Sequence, residues 1–262
     1  MWNLNNYFKY CPINSHDELD KEYSLTNLFN DQVTFSRRNN FNDLFDSRVE
    51  FRTPSRTRVR NTYKKLSGSS KLTFKQLYMC KESKHNFESL HTKMNEILDS
   101  YLFYCITDDP TNNLMWSHYA NSHNGFCIEW DKSYVTPDKV TYKKALANID
   151  ILELIESTLD LRSKDELGIQ AWDALKVKLN EWEYENEFRL KLGNDSKHLI
   201  KQDFKDFALV KSQPEWIKSI IFGYRMPMKT RKYIRDNVNK NMIFKEIVIA
   251  PDKCSLNLRT LA

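Results

Sequence analysis

Only five glycines occur in 262 residues, and none is arranged as G-x-G-x-x-G or G-x-x-x-x-G-K. Backbone cradles for phosphate need glycines at fixed offsets, because only a residue without Cβ lets the chain turn so closely around the group. A Gly-rich phosphate loop is therefore not expected. The length suits one large domain or two small ones. With 40% hydrophobic and 29% charged residues, the chain reads as globular rather than disordered or collagen-like. No apolar run is long enough to span a bilayer. The segment Met1 to Asp20 lacks the basic start and apolar core of a signal peptide. The expectation is a cytoplasmic protein with no membrane partner.

The five cysteines, Cys11, Cys80, Cys105, Cys127 and Cys254, are scattered and odd in number, and no C-x-x-C occurs. Neither a disulfide framework nor a zinc site is indicated, and buried free thiols are expected.

The net charge of +5 is unevenly spread. Between residues 48 and 71 lie Arg48, Arg52, Arg56, Arg58, Arg60, Lys64, Lys65 and Lys71, with Glu50 the lone acid. The Ser-Gly-Ser-Ser run at 67–70 suggests a flexible loop, so 48–71 reads as a basic loop or insertion. Two readings stand for it. Arg52, Arg56, Arg58, Arg60, Lys64 and Lys65 can hold nucleic-acid phosphates through charge-assisted hydrogen bonds, or the strip is a solvated, mobile insertion.

Periodicity predicts a strand at Tyr7–Tyr10, a helix from His16 to Phe29 with Ser15 as a cap, and a strand at Gln32–Ser36. A polar loop at 41–46 follows, then a helix over Phe74–Leu98 with Leu77 on its apolar face. A strand at Tyr101–Thr107, a turn at 108–111, a short helix at Leu114–Ala120 and a strand at Gly125–Trp130 come next. Val140–Tyr142 begins a further strand, Ile149–Lys178 is helical, and Glu183–Leu192 alternates as a strand. Strands at Lys218–Phe222 and Ile243–Ala250 flank a basic helix at Met228–Val238. The class is α+β, mixed rather than a β-α-β repeat. No internal repeat or break in composition occurs, so 1–262 is read as a single domain.

Two constellations can carry chemistry. The first places Trp116, Ser117, His118, Tyr119 and His123 beside a strand. Two histidines five apart do not share a helix face as metal ligands do, and Ser117 lacks a glycine-flanked elbow. What remains is a polar and aromatic wall that can stack a ring, or else an ordinary core containing Trp116 and Tyr119. The second is Glu181-Trp-Glu-Tyr-Glu-Asn-Glu-Phe-Arg189. On a strand, Glu183, Glu185 and Glu187 line one face with Arg189 beyond them. On a helix the same run is a solvated face. A carboxylate pair can polarise a hydroxyl and stabilise a developing cation, which makes Glu185 and Glu187 the leading candidates.

Several blocks together resemble the bacterial domain-of-unknown-function 2971 family. They are Phe8-Lys-Tyr10, Val33-Thr-Phe-Ser36, Phe41-Asn-Asp-Leu-Phe-Asp46, Asn113-Leu-Met-Trp-Ser-His-Tyr-Ala120, Gly125-Phe-Cys-Ile-Glu129, Trp182 to Arg189, and Ile220-Ile-Phe-Gly223. They stand in the family's order and cover most of the chain. Cys11 and Leu44 depart from it, where the family usually has arginine and proline.

The layout is also similar, more weakly, to the ADP-ribosyltransferase superfamily. That resemblance implies a split-sheet core with helical insertions, and NAD consumed as a substrate without a metal. It implies transfer to a macromolecule, nucleic acid or protein, by a toxin or phage-defence effector with an antitoxin or regulatory partner. Carried over residue by residue, Lys9 is the early basic group beside Tyr10. Ser36, Ser117, Trp116, His118 and Tyr119 line the nicotinamide pocket. Arg37 or Arg189 supplies the missing cation, Glu187 stabilises the oxocarbenium-like transition state, and Glu185 serves the acceptor. The alternative expectation is a non-catalytic nucleic-acid or protein binding module that retains the fold.

Overall fold

The computed structural model describes residues 6–79, 83–238, 241–251 and 254–261. In chain order, β1 (Tyr7–Cys11) leads to α1 (Tyr23–Phe29) and β2 (Gln32–Ser36), then β3 (Val49–Arg52), α2 (Arg56–Lys65), α3 (Gly68–Tyr78) and α4 (Ser83–Asp99). Next come β4 (Phe103–Thr107), α5 (Asn113–Tyr119), β5 (Phe126–Trp130), β6 (Asp138–Lys139), β7 (Thr141–Lys143) and β8 (Ala147–Asp150). The chain continues through α6 (Ile151–Thr158), α7 (Lys164–Leu175), β9 (Val177–Leu179), a 3-10 segment at Asn180–Glu185 and β10 (Glu187–Lys191). It ends with β11 (Ile200–Asp203), β12 (Phe207–Lys211), β13 (Ile217–Phe222), α8 (Met228–Asn237), β14 (Ile243–Ile249) and β15 (Leu256–Thr260). Helices and strands are interspersed without a repeat, so the class is mixed α and β. The backbone gathers into two compact units, one of Met1–Ser36, Leu102–Val140 and Glu181–Ala262, the other of Arg37–Tyr101 and Thr141–Asn180.

The first unit is built on a mixed sheet ordered β11-β12-β2-β4-β1-β5-β13-β14-β15, with β10 and β6 branching from β4. The pair β13–β14 runs parallel, and the pairs that flank β1, β4 and β10 run antiparallel. β10 pairs with β4 along its full length, from Glu187 opposite Thr107 to Lys191 opposite Phe103. On its other edge β4 meets β2 at Phe103 and β1 at Thr107. Midway between those points the Lys9 ammonium donates to the Cys105 carbonyl at 2.9 Å.

Alternation along the strands sorts the apolar side chains onto two faces. One face gathers Leu25, Leu28, Phe35, Tyr104, Ile106, Ile128, Trp130, Ile220 and Phe222. The other gathers Phe8, Tyr10, Met115, Trp116, Cys127, Ile221 and Ile247. Both faces are covered, so the strands read as near-continuous apolar runs.

In the second unit β3 pairs β8 and β7 pairs β9, both parallel, and Leu66, Phe74, Leu152 and Ile155 form a core beside the helices. Ser55 caps α2 by accepting from the Arg58 amide at 3.2 Å, which is a standard helix start.

Several expectations are corrected. Residues 48–71 are not a loop: they hold β3, α2 and the start of α3. Val59, Thr62, Tyr63 and Leu66 recur at helical spacing and turn inward, a signal that the dense charge hides. The Ser-Gly-Ser-Ser run is the entry to α3, with Gly68 at φ 54°. The helix expected over His16–Phe29 shrinks to α1, because the Glu22 carboxylate binds the backbone amides of Asn14 and Ser15 at 2.9 and 2.6 Å and holds that stretch out of helix. The long helix expected over Phe74–Leu98 is two helices. Ile149–Lys178 also divides, at Asp160 in the left-handed region (φ 56°), after which Ser163 caps α7. Cys11 and Cys127 are buried, Cys105 is half-buried, and Cys254 is exposed against expectation. Cys80 and the side chain of Leu77 lie outside the described residues. Among the described residues no helix is long and apolar enough to cross a membrane.

Candidate active site

The run 181–189 is neither one strand nor one helix. Asn180–Glu185 is a 3-10 segment, and the strand begins only at Glu187. Between them Asn186 sits at φ 43°, a left-handed conformation that asparagine tolerates better than most residues. Glu183, Glu185 and Glu187 therefore do not share one strand face. Glu183 is exposed, while Glu185 and Glu187 are buried at 3% and 5% exposure. Neighbouring groups fix the junction. Asn186 donates to the Asp108 carboxylate, Asn112 donates to the Tyr184 carbonyl at 2.6 Å, and the Val140 amide donates to the Glu187 carbonyl at 2.9 Å.

Arg189 accounts for much of the arrangement. Its Nε and Nη2 donate to the two oxygens of Glu187 at 2.7 and 3.1 Å, and its side chain is wholly buried. The guanidinium also lies 5.7 Å from the Phe103 ring centroid. A planar fork matched to a carboxylate is the strongest common form of ion pair and fixes orientation as well as charge. Glu187 stands opposite Thr107, which stands opposite Phe8, so its side chain belongs to the sheet face of Phe8 and Trp116. The Cys105 thiol sits in the same surroundings. Burial raises its pKa and the Glu187 charge raises it further, which leaves it protonated and a poor nucleophile.

Glu185 is held differently. Tyr119, on the last turn of α5, donates its hydroxyl to Glu185 Oε1. α5 itself is set by Asn112, whose side chain accepts from the Leu114 and Met115 amides at 2.9 and 3.2 Å. Exposed His118 lies 6.1 Å from the Tyr184 ring, which in turn lies 6.0 Å from Trp182. A row of rings thus lies beside Glu185.

The remaining candidates separate from this group. Trp116 is fully buried, donates to the Pro110 carbonyl at 2.8 Å and packs edge-on against Tyr10. Tyr10 is itself buried and donates to the Asp109 carbonyl at 2.8 Å. Burial raises the Tyr10 pKa well above its ordinary value. Of the two readings open for Trp116, ring-stacking wall or core, it takes the core one, and Tyr10, expected beside the cofactor, is core as well, because neither has a face left to offer a ligand. Ser117 donates back to the Asn113 carbonyl at 2.8 Å and lies 3.3 Å from His123 Nε2. Lys9 lies on the opposite sheet face from Glu187, with its ammonium 5.1 Å from the Tyr104 ring. It therefore does not meet Glu187, since adjacent strand residues point to opposite faces. Ser36 ends β2, paired with Phe103 and Phe207, and Arg37 begins the second unit.

Of the expected set, the structure joins Tyr119 to Glu185 and Arg189 to Glu187, with His118 beside the Tyr119 and Tyr184 rings. It adds Tyr184, Asn186, Asp108, Asn112 and Cys105. The signal for Asn186 was legible as an asparagine flanked by two glutamates, a residue type suited to positive φ. Nothing local marks Asp108 or Cys105, which arrive by strand pairing. Among the described residues no group of three or more His, Cys, Asp or Glu side chains is placed to hold a metal ion.

Residues 115–190 match the family model of DUF2971, described as a protein of unknown function. The resemblance to that family is supported over a segment that runs from α5 to β10 and holds most of this site. No curated protein and no solved structure matches the chain.

Proposed function

We propose that the Glu185–Glu187 centre performs glycosyl transfer from NAD, breaking the bond between ribose and nicotinamide. The observation that carries the reading is two buried carboxylates two residues apart, each fixed by its own partner, Tyr119 for Glu185 and Arg189 for Glu187. In this reaction the electron pair of the C–N bond leaves with nicotinamide. The ribosyl carbon becomes cationic, and an acceptor nucleophile adds to it and loses a proton. No electron donor or acceptor is needed. Carboxylates held in advance lower the barrier because they need not reorganise as positive charge develops. Glu187 is assigned to the ribosyl cation and Glu185 to the acceptor, as the ADP-ribosyltransferase resemblance implies. His118, Tyr119 and Tyr184 offer ring faces to the nicotinamide. Lys9, Tyr10 and Trp116 have no part in it.

One observation favours a second reading. Arg189 is wholly buried and both Glu187 oxygens face it, as in an ion pair that only specifies structure. The chain is then a binding module. Incubation with NAD labelled in both the nicotinamide and the adenylate halves separates the two readings. Released nicotinamide, or label transferred to a protein or nucleic-acid acceptor, supports the enzyme. Neither release nor transfer, with or without chelator and over both acceptor classes, overturns it. Glu187→Gln strands Arg189 and lowers the melting temperature on either reading, so Glu185→Gln assayed well below its melt is the cleaner loss-of-activity variant.

A further inference from the structure

We propose that the outer face of α2 binds a nucleic-acid backbone through Arg56, Arg60 and Lys64. This does not rest on the NAD reading. The three residues stand four apart on one helix, so each is turned only about 40° from the last and about 6 Å further along the axis. All three are exposed, and among the described residues none of them forms an ion pair. Lys65, in the last turn, and Arg52, at the end of β3, are exposed beside them.

The helix separates its cations by purpose. Arg58 turns inward, donates to Glu156 at 2.7 Å and lies 3.8 Å from Asp150. Buried Thr62, four residues on, donates to the same Glu156 at 2.7 Å. Arg58 is thus satisfied within the fold, which withdraws it from the set of six basic residues expected to meet phosphate. The outward residues have no such acid: besides one another, the positions three and four away from them hold Arg52, Thr53, Thr57, Val59, Asn61, Tyr63, Ser67 and Gly68. Like charges at this spacing repel and weaken a helix. A stripe of one sign is therefore a cost to the free protein that an anionic partner removes.

The partner's chemistry follows from what the stripe lacks. Protein interfaces rely on apolar and aromatic anchors in pockets, and membrane-surface helices on a broad apolar face. On α2 the apolar residues Val59 and Tyr63 are half-buried against the core, and Lys71 covers the Tyr63 ring at 4.8 Å. Purely electrostatic, sequence-independent binding suits a phosphodiester backbone. The stripe is about 12 Å long, which spans roughly three to four phosphates along one strand of a duplex.

The test uses the full chain and a fluorescein-labelled 20-nucleotide RNA, single-stranded and as a duplex, with anisotropy read from 50 to 200 mM salt and no NAD present. The triple variant Arg56→Gln, Arg60→Gln, Lys64→Gln should weaken binding at least tenfold at 100 mM salt. It should also reduce the slope of log K against log salt by about two to three. The control Lys132→Gln, Lys197→Gln, Lys205→Gln removes the same net charge from exposed positions of the other unit and should leave the slope unchanged. Equal losses in both triples overturn the proposal, because net charge alone then explains binding. So does an unchanged first triple, or a stripe-dependent preference for anionic vesicles or polyglutamate over RNA.

Discussion

Arg189 grips both carboxylate oxygens of Glu187, two residues before it on the same strand and on the same face, and no part of the guanidinium side chain reaches water. Removing one partner of such a pair leaves an uncompensated buried charge, at about 3–5 kcal/mol. Arg189→Met should therefore lower unfolding free energy by that amount in urea titration. Replacing both residues, Glu187→Met with Arg189→Met, should recover most of the loss. A double variant as unstable as the single one would show that the pair does not act as a unit.

Tyr119 and Glu185 form the second anchored contact. Tyr119→Phe keeps the ring and deletes the donor, leaving a buried carboxylate short of a hydrogen bond. The expected cost is about 1–3 kcal/mol. If Glu185 serves the acceptor, transfer should fall about tenfold or more while nicotinamide release falls less. Equal falls in both would place Tyr119 in support of the fold alone.

Two glycines should respond in opposite directions to alanine. A Cβ on Gly223 would meet the His123 carbonyl oxygen at 2.3 Å and the Gly125 carbonyl oxygen at 2.7 Å. These are backbone atoms of the tight turn leading into β5, where His123 already sits at φ 70°, and cannot yield cheaply, so Gly223→Ala should cost about 3 kcal/mol or more. Gly168 lies inside α7 with nothing within 4 Å of the added carbon. Gly168→Ala should raise stability by about 0.5–1 kcal/mol through helix propensity. Thermal melts of the two variants check both signs.

Acid sensitivity should trace to two carboxylates of the first unit. Burial alone would raise the Glu129 pKa, but hydrogen bonds from Lys245, Ser219 and Asn6 and the Lys245 charge together bring it below the ordinary value of 4.5. Glu246 behaves alike: burial opposes, and Arg259 and Arg231 prevail. A carboxyl with a depressed folded pKa contributes stability above its unfolded value, and that contribution is lost as pH falls through the folded one. Urea midpoints should thus hold from pH 7 to about 5 and drop below about 4.5. Glu129→Gln should flatten that drop, and an unchanged pH profile would exclude Glu129 as a source.

Much of the frame was legible in residue order. Alternation marked β2, while β1 and β4 read as short aromatic or β-branched runs, as strands covered on both faces do. The short helix α5 was equally plain. The second half of Glu181 to Arg189 also read correctly: Glu187 and Arg189 share a face because two residues on a strand return to the same side. Helix ends were less legible. The breaks at Asp160 and before Tyr23 depend on the Glu156 carbonyl and the Glu22 carboxylate capturing backbone amides several residues away.

What the amino-acid order by itself determined is the set of local periods, the cluster of basic residues at 48–71 and the identity of the paired glutamates. Only tertiary structure decided which of these residues meet. Lys9 and Glu187 both lie on strands flanking β4, yet the register Phe8–Thr107–Glu187 puts Lys9 on the other side of the sheet. Tyr119 reaches Glu185 across 66 residues, and Trp116, two or three positions from candidate site residues, is sealed in the core. Local sequence sets which way a side chain points relative to its own element. Strand register sets what stands opposite, and register is chosen by burying the whole apolar pattern at once, since a slip of one residue turns every side chain to the wrong face.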